Sequence, residues 1–398
     1  MHTCIVGGGI HGITLLQRLL ADTQLDRDDV VVVDPGDRLL ESFRRKARAW
    51  EMSAMRSTYV QHVGTEPFAL ETFAESHGRE DELLSTPGYP RRPSLALFLD
   101  YANDVIDRRS LGELHRQATV EGICGSGPGG GVTIETTDGP IRARHCVLAI
   151  GHGGRYCRPS WADDVDRISH VWDGFDPAVA AGETIVVGGG ITAAQLATRL
   201  AEREQVTLLT RHDLETATIE ADPRWINWNH IERELHRHPP GSQSRLETVR
   251  AARNDATIPP TLFDRLDAAV DDGRLSIRYG EVESARVVDG RVRLLCDSGC
   301  LSADRVVLAT GFEPVVDHPF VGRVASALAL DRGYRGTPIL DDDTLAWRRR
   351  DGTNSPVSVS GALAAETVGP FAGTIVGARR SADRITRAVA DRCATLRV

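Results

Sequence analysis

A short apolar run, Thr3 to Val6, is followed by a stretch from Ile10 to Leu20 whose apolar positions recur with helical period, and then by Val30 to Val33 ending at Asp34. Brief apolar runs on either side of a helical rhythm predict a βαβ unit. The same succession returns from Thr184 to Leu209. Between the two units the residues from Trp50 to Arg109 are less regular, apart from a helix-like stretch from Ser94 to Asp107 behind the Pro87-Gly88-Tyr89-Pro90 turn. Val120, Gly131 to Thr136 and Ile141 to Ile150 read as strands, with Asp138-Gly139 as a hairpin turn and Gly125 to Gly131 as a flexible connection. Beyond the second unit, Ala221 to Arg237 reads as a tryptophan-bearing helix, followed by a polar, proline-marked stretch to Pro260. Thr261 to Asp272 reads as a helix and Ser276 to Leu308 alternates like sheet. Residues 312–398 are too few and too interrupted for a third unit of this kind.

The pattern therefore predicts an α/β fold with two Rossmann-like dinucleotide-binding domains, the first discontinuous and the second inserted into it. The expected boundaries are 1–170 for the first part of the first domain, 171–310 for the second domain with a helical insert at about 214–275, and 311–398 for the return to the first domain. Each βαβ unit joins its strand to its helix through a glycine-rich turn, formed by Gly7, Gly9 and Gly12 in the first and by Gly188, Gly190 and Ala193 in the second. The first glycine of such a turn makes the bend, the second lets backbone approach a pyrophosphate, and the third position packs helix on strand. The free N–H groups of the helix start then face the anion. Asp34 follows Gly12 by 22 residues, where a carboxylate would hydrogen-bond the adenosine ribose; otherwise it belongs to a solvent-facing Asp-Pro-Gly-Asp turn.

Composition narrows the class. With 398 residues, 41% hydrophobic and 26% charged, the chain is long enough for two or three domains with a large core. A net charge of −9 opposes non-specific attraction to nucleic acid or to an anionic membrane. No apolar run approaches a membrane span, and a strand beginning by Thr3 leaves no room for a signal peptide, so a cytoplasmic enzyme with a small-molecule substrate is expected. Lys46 is the only lysine among 47 basic residues, which argues against lysine-based covalent chemistry. Of the cysteines, Cys296 and Cys300 are spaced CxxxC rather than as a CxxC dithiol. His236 and His238, two apart on an expected helix, diverge, and no metal site is expected.

The N-terminal GxGxxG, the central GxGxxA and the strand end Ala309-Thr310-Gly311 together resemble the two-dinucleotide-binding flavoproteins, in particular the flavin-containing and the lysine- or ornithine-N-hydroxylating monooxygenases. Asp304, Leu308, Ala309, Thr310 and Gly311 match the D-x-x-x-[LF]-A-T-G motif of that group, with Phe312 where tyrosine is usual. Ser360-Gly361-Ala362 and Gly369-Pro370, ahead of a helix-like stretch from Ile375 to Arg392, look like the segment whose helix start faces the flavin pyrimidine. Met52 to Phe73 and Tyr89 to Arg92 are similar to the stretches that run over the flavin, which would place Arg56 near the isoalloxazine or nicotinamide, unless it is a salt-bridged structural arginine. The chain departs from the histidine motif of the flavin-containing branch, of which only His170 remains.

The resemblance implies FAD at the first turn. The second strand ends at Thr210-Arg211-His212, with a cation where NAD enzymes place a carboxylate, so NADPH is expected there unless Arg211 is merely a solvated strand-end charge. The resemblance further implies hydride transfer to the flavin and oxygenation of an amine or other soft nucleophile through a C4a-hydroperoxyflavin. Two other functions remain open: an NADPH-dependent reductase serving a quinone, a metal centre or a partner protein, and a non-catalytic flavin-binding redox sensor. Trp225, Asn227, Trp228, Asn229 and His230 are candidates to line a substrate or nicotinamide pocket.

Overall fold

The computed structural model describes residues 2–127 and 130–395, with side chains up to residue 391. Pro128 and Gly129, within the expected flexible connection, lie outside the described residues. A six-stranded sheet runs in the order Ala346–Arg348, Asn354–Val359, His145–Leu148, Thr3–Val6, Val30–Asp34, His115–Gln117. All its pairings are parallel except that of Ala346–Arg348 with Asn354–Val359. Its centre carries the most apolar strands, as burial on both faces requires: Cys4, Ile5, Val32, Cys146, Val147 and Val357 are fully buried. Because two of its strands come from the C-terminal part of the chain, this first domain is discontinuous.

The second sheet, parallel throughout, has the order Ile168–His170, Arg305–Leu308, Glu183–Val187, Gln205–Thr210, Leu275–Tyr279. Ile168–His170 pairs with Val306–Leu308, so a strand expected at the end of the first domain hydrogen-bonds into the second. The helical insert is also shorter than expected at its C-terminal end. Helix Pro260–Asp271 buries Leu262, Leu266 and Ala269 in the same apolar cluster as Ala193, Leu196 and Leu200 of helix Ile191–Leu200, making it a crossover helix of the second sheet.

Within the insert, the single helix expected over Ala221 to Arg237 is broken into a 3-10 turn, Pro223–Ile226, and a short helix, Trp228–Glu234. The side chains of Asp222 and Asn227 accept from the backbone N–H groups of Arg224 and Asn229, and each starts its own element. His236 and His238 follow the short helix rather than lying on it. Helix Gln243–Ala252, a polar stretch in the sequence, starts from the Ser242 cap and is anchored by fully buried Arg245, bidentate to Asp342 at 2.6 and 2.7 Å. Trp225 and Trp228 are not among the residues lining the main cleft at the second turn. They pack with Ile231, Phe371 and Val376, docking the insert on the C-terminal segment of the first domain.

No helix among the described residues is long and apolar enough to cross a membrane.

Candidate functional site

At the first turn, Gly7 has φ +112° and Gly12 packs so tightly that a Cβ on either would collide with the carbonyl of Ala149 or of Gly7 respectively. Nothing stands within 4 Å of the position a Gly9 Cβ would take. Gly9 starts helix Ile10–Asp22, which has no side-chain cap and no acidic residue in its first turn. The exposed amides and the positive end of the helix dipole thus face open space. Asp34 ends the neighbouring strand, but its carboxylate is already engaged: Oδ2 accepts from Gly8 N and Oδ1 from Gly36 N, both at 2.8 Å. Beside the turn, His11 Nδ1 meets the Ser360 hydroxyl at 2.8 Å, and burial holds this histidine down at about 4, helped by nearby His152. Ser360 and Gly361 are thereby joined to the turn. Helix Ile375–Thr395 packs along Ile10–Asp22, with Asp383 paired to Arg18 at 2.9 Å.

The second turn repeats the design. Gly188 has φ +148° and abuts the Ala309 carbonyl, while Gly190 has open space before it and starts helix Ile191–Leu200, again without cap or first-turn acid. Ala193 is fully buried against Gly188, so this turn admits the methyl group that the first excludes at Gly12. A cleft of about 1140 Å³ opens here, lined by Gly188 to Thr192, by Thr310, Gly311 and Phe312, and by Arg56 and Glu220. Arg211 borders it with a side chain 68% exposed, whose ion-pair contact is Glu281 at 3.8 Å. The Thr310 hydroxyl donates to the Cys157 carbonyl and the Cys157 amide to Gly311, closing the strand end over the cleft. Asp304 is at the other end of that strand and accepts from Glu183 N at 2.9 Å, a structural tie.

Arg56 lines the cleft, but its guanidinium is occupied. It donates to the carbonyls of Ala217, Thr218, Ile219 and Thr257 and to the Thr257 hydroxyl, clamping the insert to the first domain. Of the two placements expected for Arg56, beside the cofactor or structural, the structure shows it at the edge of the cleft with its N–H groups bound to backbone oxygens and to the Thr257 hydroxyl. Gly369, with φ +87°, packs near Trp225 and Ile231 of the insert, and the Pro370 carbonyl accepts from Arg253. These two residues therefore join the C-terminal segment to the insert at the cleft.

A set of stacked rings, unforeseen in the sequence, spans the two domains. Phe312 stacks on His152 at 4.2 Å and on Trp172 at 4.4 Å, and Tyr156 stacks on His170 at 4.9 Å. His170 is 1% exposed, and burial holds both it and His152 at about 4, neutral near pH 7. The surviving histidine of the degraded motif is thus a packed interdomain ring. The sequence signal that was available is Phe312 itself, a ring immediately after Ala-Thr-Gly. Among the described residues no group of three or more acidic, histidine or cysteine side chains could hold a metal.

Residues 4–153 match a family model described as FAD-NAD(P)-binding. No curated protein matches the chain at a significant level of sequence similarity. Among solved structures, an ornithine N-hydroxylase of Kutzneria sp. 744, described with reduced FAD, NADP+ and L-ornithine, superposes with a TM-score of 0.79 at 16% identity, over 98% of this chain and 99% of that one. The chain has the fold of the two-dinucleotide flavoproteins. The ornithine hydroxylase of Pseudomonas aeruginosa shares that fold with a TM-score of 0.77 at 17% identity, over 98% of this chain and 99% of the other. So does the bacillithiol disulfide reductase of Bacillus cereus, with a TM-score of 0.64 at 17% identity over the same shares. The two-dinucleotide flavoprotein fold thus hosts both oxygenating and reducing enzymes, and chemistry must be argued from the site.

Proposed function

We propose that the chain is an FAD-dependent, NADPH-using oxidoreductase of the monooxygenase kind, acting on an amine or another soft nucleophile. The observation that carries this reading is the pair of sterically enforced glycine turns, each opening on an uncapped helix start, one on each sheet. A Cβ would fill the space before Gly9 or Gly190 that a diphosphate needs, so the residues present fit a dinucleotide at both. The family match of residues 4–153 favours FAD at the first turn, and the exposed Arg211 favours a 2′-phosphate at the second.

Bound FAD would supply hydride acceptance from NADPH and, once reduced, reaction with dioxygen. The chain's own contribution is to hold and screen. Gly7 to Gly12 and Gly188 to Ala193 present amides to phosphates, while Arg56 fixes the insert wall. The rings of Trp172, Phe312 and His152 fill the junction between the domains with neutral, water-excluding surface. No side chain in the cleft is required to form a covalent bond with substrate. A cytoplasmic enzyme with a small-molecule substrate fits this reading.

A second reading, an NADPH-dependent reductase, is favoured by the likeness to the bacillithiol disulfide reductase. Against it, Cys296 and Cys300 lie on adjacent strands of a small antiparallel sheet, with Cys296 buried and Cys300 exposed, and form no dithiol at the cleft. A flavin-holding sensor has no use for the second turn. Anaerobic reduction by NADPH followed by mixing with oxygen separates the readings. The monooxygenase reading expects a transient spectrum, prolonged by NADP+, before oxidised flavin returns. Direct return to oxidised flavin, with fast reduction of quinones or dyes, favours the reductase, and a folded protein that cannot be loaded with FAD removes both.

A further inference from the structure

The N- and C-terminal parts of the discontinuous first domain meet beside its glycine turn. His11 lies in the first turn of helix Ile10–Asp22, where its own backbone N–H is among those that the helix start leaves free. Its Nδ1 stands 2.8 Å from the hydroxyl of Ser360, 349 residues further along, and both residues are buried. Ser360 extends strand Asn354–Val359, its N–H donating to the Leu148 carbonyl at 2.9 Å. The next residue, Gly361, has φ +99°, and a Cβ there would stand 3.9 Å from two atoms of the His11 ring. Burial keeps that ring neutral near pH 7, so the bond persists across the neutral range. Other ties between the two parts lie farther from the turn. Arg18 with Asp383 is about two turns along the helix, and His145 with Ser358, at 3.0 Å, is at the Thr3 end of the sheet.

A dinucleotide lies across the carboxyl ends of the strands of such a sheet, with its diphosphate at the turn and its adenosine over the neighbouring strand that ends in an acidic residue. Here that strand is Val30–Asp34, on one side of Thr3–Val6. The other half of the dinucleotide therefore runs the opposite way, over the ends of His145–Leu148 and Asn354–Val359, where the His11 and Ser360 pair stands. We propose that His11 is the positioning residue that fastens Ser360 and Gly361 against the first turn, and that retention of the flavin half of FAD depends on this fastening. This rests on the FAD reading given above. One residue joins two tasks: its amide belongs to the helix start that faces the diphosphate, and its ring fixes the backbone on the far side. Removing either partner strands the other in a buried site, which costs more than the bond alone contributes.

The test compares the parent with His11→Leu, His11→Asn, His11→Gln, Ser360→Ala and the double variant of His11→Leu with Ser360→Ala. FAD release is followed from the loaded proteins, and dissociation constants for FAD, 5′-ADP and NADP+ are measured, with melting temperatures alongside. Loss of one buried hydrogen bond should weaken FAD about three- to ten-fold in His11→Leu and in Ser360→Ala, through faster release, and the double variant should be no weaker than the worse single one. His11→Asn, whose side-chain amide falls where Nδ1 stood, should stay within about two-fold of the parent. His11→Gln, whose amide reaches the position of Nε2 instead, should resemble His11→Leu. 5′-ADP, which has no flavin half, and NADP+ should bind each variant as they bind the parent. Unchanged FAD binding in both single variants overturns the proposal. So do losses that add in the double variant, an equal loss for 5′-ADP, which would assign His11 to the diphosphate alone, or a lowered melting temperature with FAD release unchanged, which would leave a packing role only. A parent protein that binds no FAD overturns the functional reading together with this one; a parent that binds FAD beside indifferent His11→Leu and Ser360→Ala variants overturns this one alone.

Discussion

Arg56 Nη2 donates to the Ala217 carbonyl at 2.7 Å across 161 residues of chain. The same guanidinium reaches Thr257 on the other strip of the insert. The two strips also touch through bridges of Thr216 with Ile258 and of Ala221 with Arg253. One arginine from the first domain therefore fixes both sides of the wall that bears Glu220 and Arg253 at the cleft. Position in the chain left Arg56 either beside the cofactor or structural; its hydrogen bonds to both strips of the insert account for a structural part in the chamber wall.

Arg56→Met should leave the two nucleotide turns folded and loosen the insert. It strands several carbonyls that had a charged donor, and hydrogen bonds to charged groups contribute about 1.5–3 kcal/mol each, with water recovering part of the loss. A net destabilisation of about 2–3 kcal/mol is expected, with faster proteolysis between residues 213 and 259 and largely retained FAD binding. Limited proteolysis with mass mapping checks this. A cleavage pattern identical to that of the parent, together with lost hydride transfer, would restore a direct role at the cofactor.

The glycines of each turn should separate into two classes. Gly12→Ala places a methyl group against the Gly7 carbonyl and should destabilise the first domain, whereas Gly9→Ala meets nothing within 4 Å and should fold normally. Gly9→Ala should nonetheless lose FAD, because its methyl group enters the space before the helix start. Gly190→Ala should do the same to NADPH alone. Melting temperatures and ligand titrations of the three variants report this, and tight FAD binding by Gly9→Ala would remove the first turn as the diphosphate site.

Both turns were legible because a steric requirement at Gly7, Gly12 and Gly188 writes itself directly into residue type. The apolar strands around them were legible because burial on both faces permits little else. The insert was not. Its helix Gln243–Ala252 is anchored by Arg245 and Asp342 rather than by an apolar stripe, so no hydrophobic period marks it. The role of Arg56 was hidden for a related reason: its partners are backbone carbonyls, which carry no residue identity. The ring stack joins His152, Trp172 and Phe312 from three separated segments, and only the fold brings them together.

Acid should weaken the fold through neutral histidines. His11, His62, His152 and His170 are each held at about 4, chiefly by burial, against about 6.5 when unfolded. Between those values the unfolded chain binds the extra protons. Stability is therefore fully present above about pH 6.5, falls as pH drops toward about 4, and levels off below, at no more than about 1.4 kcal/mol per pH decade for each histidine. His170→Phe keeps a ring against Tyr156 and should shed one such contribution. Urea midpoints of parent and variant at pH 7.5 and pH 5 measure the difference, and equal pH dependence would show that His170 takes its proton without cost.

The last prediction concerns which nicotinamide cofactor the cleft prefers. Arg211, 68% exposed, and Glu281, 71% exposed, are 3.8 Å apart at the mouth of the second turn, and a side cavity of about 410 Å³ opens between them and Ser298. A 2′-phosphate there gains a charge-assisted hydrogen bond from Arg211, worth about 1.5–3 kcal/mol before solvent screening, so Arg211→Ala should lower the preference for NADPH by about one to two decades and leave NADH nearly unchanged. Glu281 works in the opposite direction, since its carboxylate competes with the phosphate for the same cation. An exposed pair of this kind is worth about 0.2–1 kcal/mol, so Glu281→Gln should tighten NADPH by up to about five-fold, most clearly at low salt. Titrations of NADPH and NADH into the FAD-loaded proteins at two salt concentrations decide the matter. If the parent binds both cofactors equally and neither variant changes the ratio, the 2′-phosphate does not lie at Arg211, and the second turn holds NADH as readily as NADPH.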